Sequence, residues 1–254
     1  MNITYWSDYA CPFCYIGETR LKKAIRQLEE EKKIAKGQVE MTMKAFQLDP
    51  TAGKHAAGDT LTRFAHKYGL SMDQAAAQIN QISRMGLEEG LDFHYASTLF
   101  TNTMDAHRLT KLAQHQGTKE QTEEIIEKLM QAYFSDNKEL ADHALLKKIG
   151  EEAGLPPAAV KALLSSDEYR DEVEADEREA YSYGISAVPF FIVAGRYGIS
   201  GAQETAGMKE VIMKAVREDE GERQKAAAAA AVASAAAGMA CGPDGCSIAA
   251  HQAQ

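Results

Sequence analysis

Two cysteines three residues apart, Cys11 and Cys14, stand where a β-rich run gives way to a helical pattern. Ile3 to Ser7 alternates in polarity and reads as a strand. From Gly17 to Lys33 the apolar residues Leu21, Ala24, Ile25 and Leu28 recur at helical spacing. Val39 to Leu48 alternates again, and a crossover helix between two strands predicts a βαβ unit with parallel strands. That context gives the Cys11-Pro12-Phe13-Cys14 spacing its meaning. A helix N-terminus has unsatisfied N–H groups and the positive end of the macrodipole, so it favours an anion such as a thiolate, the reactive form of cysteine. Cys11 is expected to be the exposed nucleophile, and Cys14, one turn on, to resolve a mixed disulfide. Pro12 suits a first helical turn, where a missing N–H costs little, and Pro12 and Phe13 would shape how well the thiolate is held. Two other readings remain open: half of a zinc site, which needs two further ligands, or a pair of inert buried thiols.

The rest of the chain has one long helical stretch, from about Thr60 to Tyr183. Within it, Ser71 with Gln74 and Thr118 with Gln121 have the spacing of capping boxes. Ile125, Leu129, Ala132 and Tyr133 form an apolar stripe, and Pro156 and Pro157 stand where a helix can start. The charges from Asp167 to Glu179 read as a solvated helix face. Strand character returns at Pro189 to Val193 and Tyr197 to Ile199, punctuated by Gly195, Gly198 and Gly201. Gln203 to Val216 reads as an amphipathic helix. The order predicts an α/β fold with a large all-helical insertion. Pro189 at a strand start is a candidate cis proline; a cis bond there would present the backbone of Val188 to a bound substrate segment.

After Asp219 a charged stretch leads into the alanine-rich run Ala226 to Ala237, either a helix ending at Gly238 or a mobile linker. It ends in Cys241-Gly242-Pro243-Asp244-Gly245-Cys246, whose centre is strong turn chemistry. A turn could bring the two sulfurs within disulfide range. Cys241 and Cys246 then read as an auxiliary redox pair on a tether, as a soft-metal site with His251 as third ligand, or as cysteines without a joint role.

Composition removes several classes. The formal net charge of -9 argues against non-specific nucleic-acid binding. No run approaches the roughly 18–20 apolar residues of a membrane span, and the N-terminus has neither a basic nor an apolar signal region. The expected compartment is the cytoplasm, where paired cysteines more often mean redox or metal chemistry than structural bridges.

Five blocks together carry a resemblance: Ser7-Asp8-Tyr9-Ala10-Cys11-Pro12-Phe13-Cys14-Tyr15-Ile16-Gly17; Phe46-Gln47-Leu48-Asp49-Pro50; Asn102-Thr103-Met104-Asp105-Ala106-His107-Arg108-Leu109; Gly184 to Phe191; and Ile199-Ser200-Gly201-Ala202-Gln203. In this order the chain resembles the DsbA-family thioredoxin-fold proteins, in particular the FrnE-like branch related to 2-hydroxychromene-2-carboxylate isomerases. The resemblance implies a discontinuous thioredoxin-like domain (1–55 and 180–217), an inserted helical domain (56–179) and a C-terminal extension, helical or flexible (218–254). It also implies a cis Val188–Pro189 bond facing Cys11. FrnE-like sequences carry a similar C-terminal cysteine pair, which favours the redox reading of Cys241 and Cys246. Isomerase and kappa-class transferase relatives use a serine where Cys11 stands, so two cysteines favour dithiol exchange over glutathione-dependent isomerisation. The implied activity is thiol–disulfide oxidoreduction or isomerisation on protein or small-molecule disulfides; a role in oxidative stress is expected from that chemistry alone. No resident cofactor or metal is implied, and glutathione is the candidate co-substrate. His107 and Arg108 read as packing and solvent contacts, and His94 carries no assigned role.

Overall fold

The computed structural model describes residues 1–237 together with 241–242 and 245–246. β1 (Asn2–Ser7) leads through the dithiol into α1 (Pro12–Glu30), which returns the chain to β2 (Glu40–Ala45), parallel to β1 from Asn2 opposite Glu40 to Ser7 opposite Ala45. β3 (Phe190–Val193) pairs antiparallel with β1, and β4 (Tyr197–Ser200) pairs antiparallel with β3, giving the strand order β2-β1-β3-β4. Between β2 and β3 lie α2 (Thr60–Tyr68), α3 (Met72–Glu88), a 3-10 turn (Tyr95–Ser97), α4 (Met104–Gln116), α5 (Lys119–Phe134), α6 (His143–Glu152), α7 (Pro157–Leu164) and α8 (Arg170–Ser182). α9 (Thr205–Ala237) follows the sheet.

The pleat of β1 divides the core. Ile3 and Tyr5 join the main apolar cluster with Leu21, Ala24 and Leu28 of α1 and Met208, Ile212 and Ala215 of α9. Trp6 turns to the opposite face, against Phe46, Ala180 and Ile185. Its indole N–H donates to the Asp176 carbonyl at 2.8 Å, which pins β1 to α8. Burying a side chain of this kind contributes roughly 1.5–3 kcal/mol. Both capping boxes form: the Gln74 and Gln121 amides donate to Ser71 Oγ and Thr118 Oγ1, each at 3.2 Å, with the reciprocal glutamine contacts in place. The stripe of Ile125, Leu129, Ala132 and Tyr133 is buried, and α7 starts at Pro157.

Two expectations change. The acidic run of α8 is not a solvated face throughout. Asp176 is buried, accepts the Ala45 N–H at 2.9 Å and pairs with Lys111 Nζ at 2.5 Å. β2 is a sheet edge, and a carboxylate from α8 supplies the acceptor that an edge N–H lacks. The helix expected over 203–216 also does not stop there. α9 continues through the alanine run to Ala237, crossing residue 217 without a break, as the high helix propensity of alanine favours. Gly238 and His251 lie outside the described residues. Cys241–Gly242 (β5) and Gly245–Cys246 (β6) form a two-residue antiparallel ladder with Cys241 opposite Cys246.

Candidate active site

β1 ends at Ser7, and the chain must turn from the sheet into α1 within four residues. Cys11 takes extended backbone angles as the N-cap of α1, and Pro12 occupies the first turn. The Cys11 N–H donates to the Asp8 carbonyl at 3.1 Å, and the Cys14 N–H to the Cys11 carbonyl at 3.0 Å. The two thiols are therefore one turn apart at the positive end of a 19-residue helix. Neither is in a disulfide.

Cys11 is not openly exposed: only 4% of its surface reaches solvent. It lies instead in a groove of about 440 Å3, where Phe13 and Leu48 on the rim and Phe64, Tyr95 and Val188 in the walls cover it. Its Sγ lies 3.5 Å from the Val188 carbonyl oxygen, to which the thiol donates. The Val188–Pro189 peptide is cis, and the Pro189 carbonyl accepts the Gly201 N–H at 2.8 Å, which ties the loop to the end of β4. Cys14 is 1% exposed. Burial pushes its thiol well above the usual cysteine range, and the neighbouring Cys11 adds to the shift; the Asp8 backbone and the Ser7 hydroxyl act the other way. Cys14 is thus held as a neutral thiol behind the accessible sulfur.

Gly17, one turn beyond Cys14, sets how closely α1 approaches this loop. A Cβ there would lie 3.0 Å from Pro189 Cγ, 3.3 Å from Phe191 Cζ and 3.4 Å from the Ala202 backbone. Gly17→Ala gains helix propensity but must push Pro189 aside, so we expect a net loss of about 1–2 kcal/mol, read as a Tm lower by roughly 2–8 °C. A rise in Tm would mean that the proline loop yields freely.

Asp8, assigned no role of its own from the sequence, and His107, read there as a packing and solvent contact, are both 1% exposed. Asp8 Oδ2 accepts the Leu48 N–H at 2.8 Å, Oδ1 accepts the Ala10 N–H at 3.4 Å, and His107 Nε2 is 3.5 Å from Oδ1. One carboxylate thus braces two walls of the groove. Its signal in the sequence was an acidic residue in an apolar strand-to-helix junction. His107 and Arg108 are not solvent contacts: Arg108 is 2% exposed and binds the α7–α8 connection. His94 is exposed, with Nδ1 2.7 Å from the Ser135 carbonyl. Among the described residues no group of three or more His, Cys, Asp or Glu side chains is placed to hold a metal ion.

A four-stranded mixed sheet, a dithiol at the start of its first helix and a cis proline opposite define the thioredoxin-like class, here with helices inserted between β2 and β3. The family model described as "DSBA-like thioredoxin domain" matches residues 2–213, and the chain belongs to that family. A "probable DsbA oxidoreductase" of known structure from Streptomyces coelicolor is 31% identical, with a TM-score of 0.78 over 98% of this chain and 100% of that one. The Bacillus subtilis protein YwbO is 26% identical over 87% of this chain and 98% of its own length. The cytosolic disulfide reductase DsbM of Pseudomonas aeruginosa shares the fold, with 14% identity and a TM-score of 0.57 over 85% of this chain and 100% of that one.

Proposed function

We propose that this protein is a thiol–disulfide oxidoreductase in which Cys11 exchanges with substrate and Cys14 resolves. The observation that carries this reading is the placement of Cys11 Sγ, 3.5 Å from the Val188 carbonyl in a groove, with buried Cys14 one turn behind it. In the reductive direction the Cys11 thiolate attacks a substrate disulfide and expels one substrate thiolate. Cys14 then attacks Cys11 Sγ, the second substrate thiol leaves, and a Cys11–Cys14 disulfide remains. The oxidative direction is the reverse. Pro12 and Phe13 shape the nucleophile, and Val188 and Pro189 present backbone to a bound segment. The substrates are protein or small-molecule disulfides, and no dissociable cofactor takes part. Glutathione is the candidate co-substrate; the DsbM neighbour was solved with it. The residues around the dithiol (1–55 and 180–217) act as the exchange domain, and the helices of 56–179 form its lid and wall. Work in the cytoplasm under oxidative stress fits this chemistry; among the described residues no helix is long and apolar enough to cross a membrane.

Cys241 and Cys246 form the second redox pair of this proposal. They stand directly opposite on their ladder, and opposed residues of an antiparallel pair have Cα atoms about 4.5–5.5 Å apart, within the range that disulfides need. Tethered by the chain, they would exchange with the first pair through a mixed disulfide.

The test is reduction of insulin disulfides by dithiothreitol. The wild type should accelerate it, Cys11→Ser should fall to the uncatalysed background, and Cys241→Ser/Cys246→Ser should fall between. A wild type no faster than dithiothreitol alone would sink the proposal.

A further inference from the structure

The groove over Cys11 differs in charge from the chain as a whole. The chain carries a formal charge of -9, yet no carboxylate lines this groove. Its charged lining residues are Arg63 and Lys67, four residues apart on α2 and so on one helix face. None of the ion pairs among the described residues involves Arg63 or Lys67. Asp59, the carboxylate four residues before Arg63, is committed elsewhere: it caps α2 by accepting the Thr62 N–H at 2.9 Å. The Arg63 guanidinium is nonetheless held, stacked 3.4 Å from the centroid of the Phe100 ring. Stacking fixes a guanidinium by its face and leaves its N–H edge free to bind a carboxylate. Tyr95, Cys11 and Arg63 line the same groove.

We infer that Arg63 and Lys67 are specificity-determining residues that select disulfides carrying a carboxylate within a residue or two of the attacked sulfur. The inference rests on the exchange reading above. A chain of net negative charge repels anionic substrates at long range, so a preference for them needs a local source. Two unpaired cations beside the nucleophile supply it, and they also repel a substrate with an ammonium group in the same place. The remaining lining is apolar, with Phe13, Leu48, Phe64 and Ile82, and suits the methylene or side-chain portion of such a substrate. The chemistry balances as ordinary exchange: the reduced dithiol and one substrate disulfide give the Cys11–Cys14 disulfide and two substrate thiols. The protein gives up two electrons, and the protons of Cys11 and Cys14 leave with the thiols.

Single-turnover oxidation of the pre-reduced full chain tests this, with 3,3′-dithiodipropionate (anionic), bis(2-hydroxyethyl) disulfide (neutral) and cystamine (cationic). Products are counted by acid quench and alkylation, and each rate is divided by the rate with a free dithiol to remove intrinsic reactivity. We expect the wild type to prefer the anionic over the cationic disulfide by roughly tenfold, the scale of two solvent-facing charge contacts. High salt should narrow that ratio, and Arg63→Glu/Lys67→Glu should invert it. Lys67→Glu alone, at an exposed position, should already reduce it. Because the ratio is taken within each variant, loss of folded protein cancels. A parallel arm uses matched homodisulfides of short peptides with Glu or Lys beside the cysteine. A larger charge preference there than among the small disulfides marks a polypeptide source, and a smaller one marks a low-molecular-weight source. Equal normalised rates for all three small disulfides would overturn the inference and leave the exchange reading standing. No oxidation of the dithiol by any of them would instead remove the exchange reading itself.

Discussion

Cys14→Ser is expected to trap the protein on its substrate. Cys11 remains in its groove, so the first attack proceeds and a Cys11–substrate mixed disulfide forms. The step that releases it is then missing. In the wild type the resolving sulfur is buried one turn behind Cys11, and burial holds it as a thiol well above the usual cysteine range. It does not compete for the first attack. It becomes the nucleophile only once Cys11 Sγ is an electrophile next to it, and at that point proximity replaces intrinsic reactivity. An intramolecular thiol has an effective concentration far above the millimolar dithiothreitol of an assay, so losing it should slow turnover on the order of a hundredfold or more. The remaining turnover should rise linearly with dithiothreitol, because an external thiol now resolves the adduct. Intact mass after acid quench should show one substrate molecule per chain in Cys14→Ser and none in Cys11→Ser. A Cys14→Ser protein that turns over at the wild-type rate and carries no adduct would mean that resolution does not pass through Cys14.

The parts of this site that could be read in the sequence are those with local signatures. The strand, dithiol and helix around Cys11 and Cys14 are consecutive, and both capping boxes lie within four residues, so spacing alone locates them. The proline before β3 was marked by its position ahead of Phe190 and Phe191. What escaped depends on contacts between distant segments. Asp8 is one acidic residue among many in the sequence; its importance comes from Leu48, 40 residues away, and from His107 on α4. Asp176 lay in a run of charges whose exposed members look no different, and only the edge of β2 gives it an amide to bind. The openness expected of Cys11 failed for the same reason: Phe64 and Tyr95 come from the inserted helices and reach back over the sheet. Periodicity reports which face of an element is apolar, but not which element covers it.

Arg108 shows how far one such contact reaches. It is 2% exposed, and its guanidinium bonds four partners: Nε donates to the Glu168 carbonyl at 2.7 Å, Nη2 to the Leu163 and Ser166 carbonyls at 2.7 and 2.5 Å, and Nη1 to Asp105 Oδ1 at 2.7 Å. Three of the four are backbone oxygens of the α7 end and the α7–α8 connection, so the side chain supplies donors to carbonyls at a helix C-terminus, where intrahelical partners run out. Arg108→Ala leaves the Glu168 and Ser166 carbonyls without this donor in a site that admits little water, and it takes from Asp105 one of two cationic partners, His143 Nε2 at 2.7 Å remaining. We expect a loss of about 3–5 kcal/mol, the cost of breaking a buried charged pair from one side, read as a lower urea midpoint with an unchanged m-value. Arg108→Lys should recover little, since one ammonium cannot reach donors spread over a planar fork. Acid should reduce the difference. Burial alone would raise the Asp105 carboxyl, but His143 and Arg108 outweigh it and hold it below the usual carboxylate range. A carboxyl depressed on folding stabilises above its unfolded pKa, about 3.9, and loses that contribution as pH falls through the folded value. The gap between wild type and Arg108→Ala should therefore be full at neutral pH and shrink below about pH 4. It should not vanish, because the three carbonyls do not titrate. A gap that is constant down to pH 2 would assign the whole effect to the backbone contacts and none to Asp105.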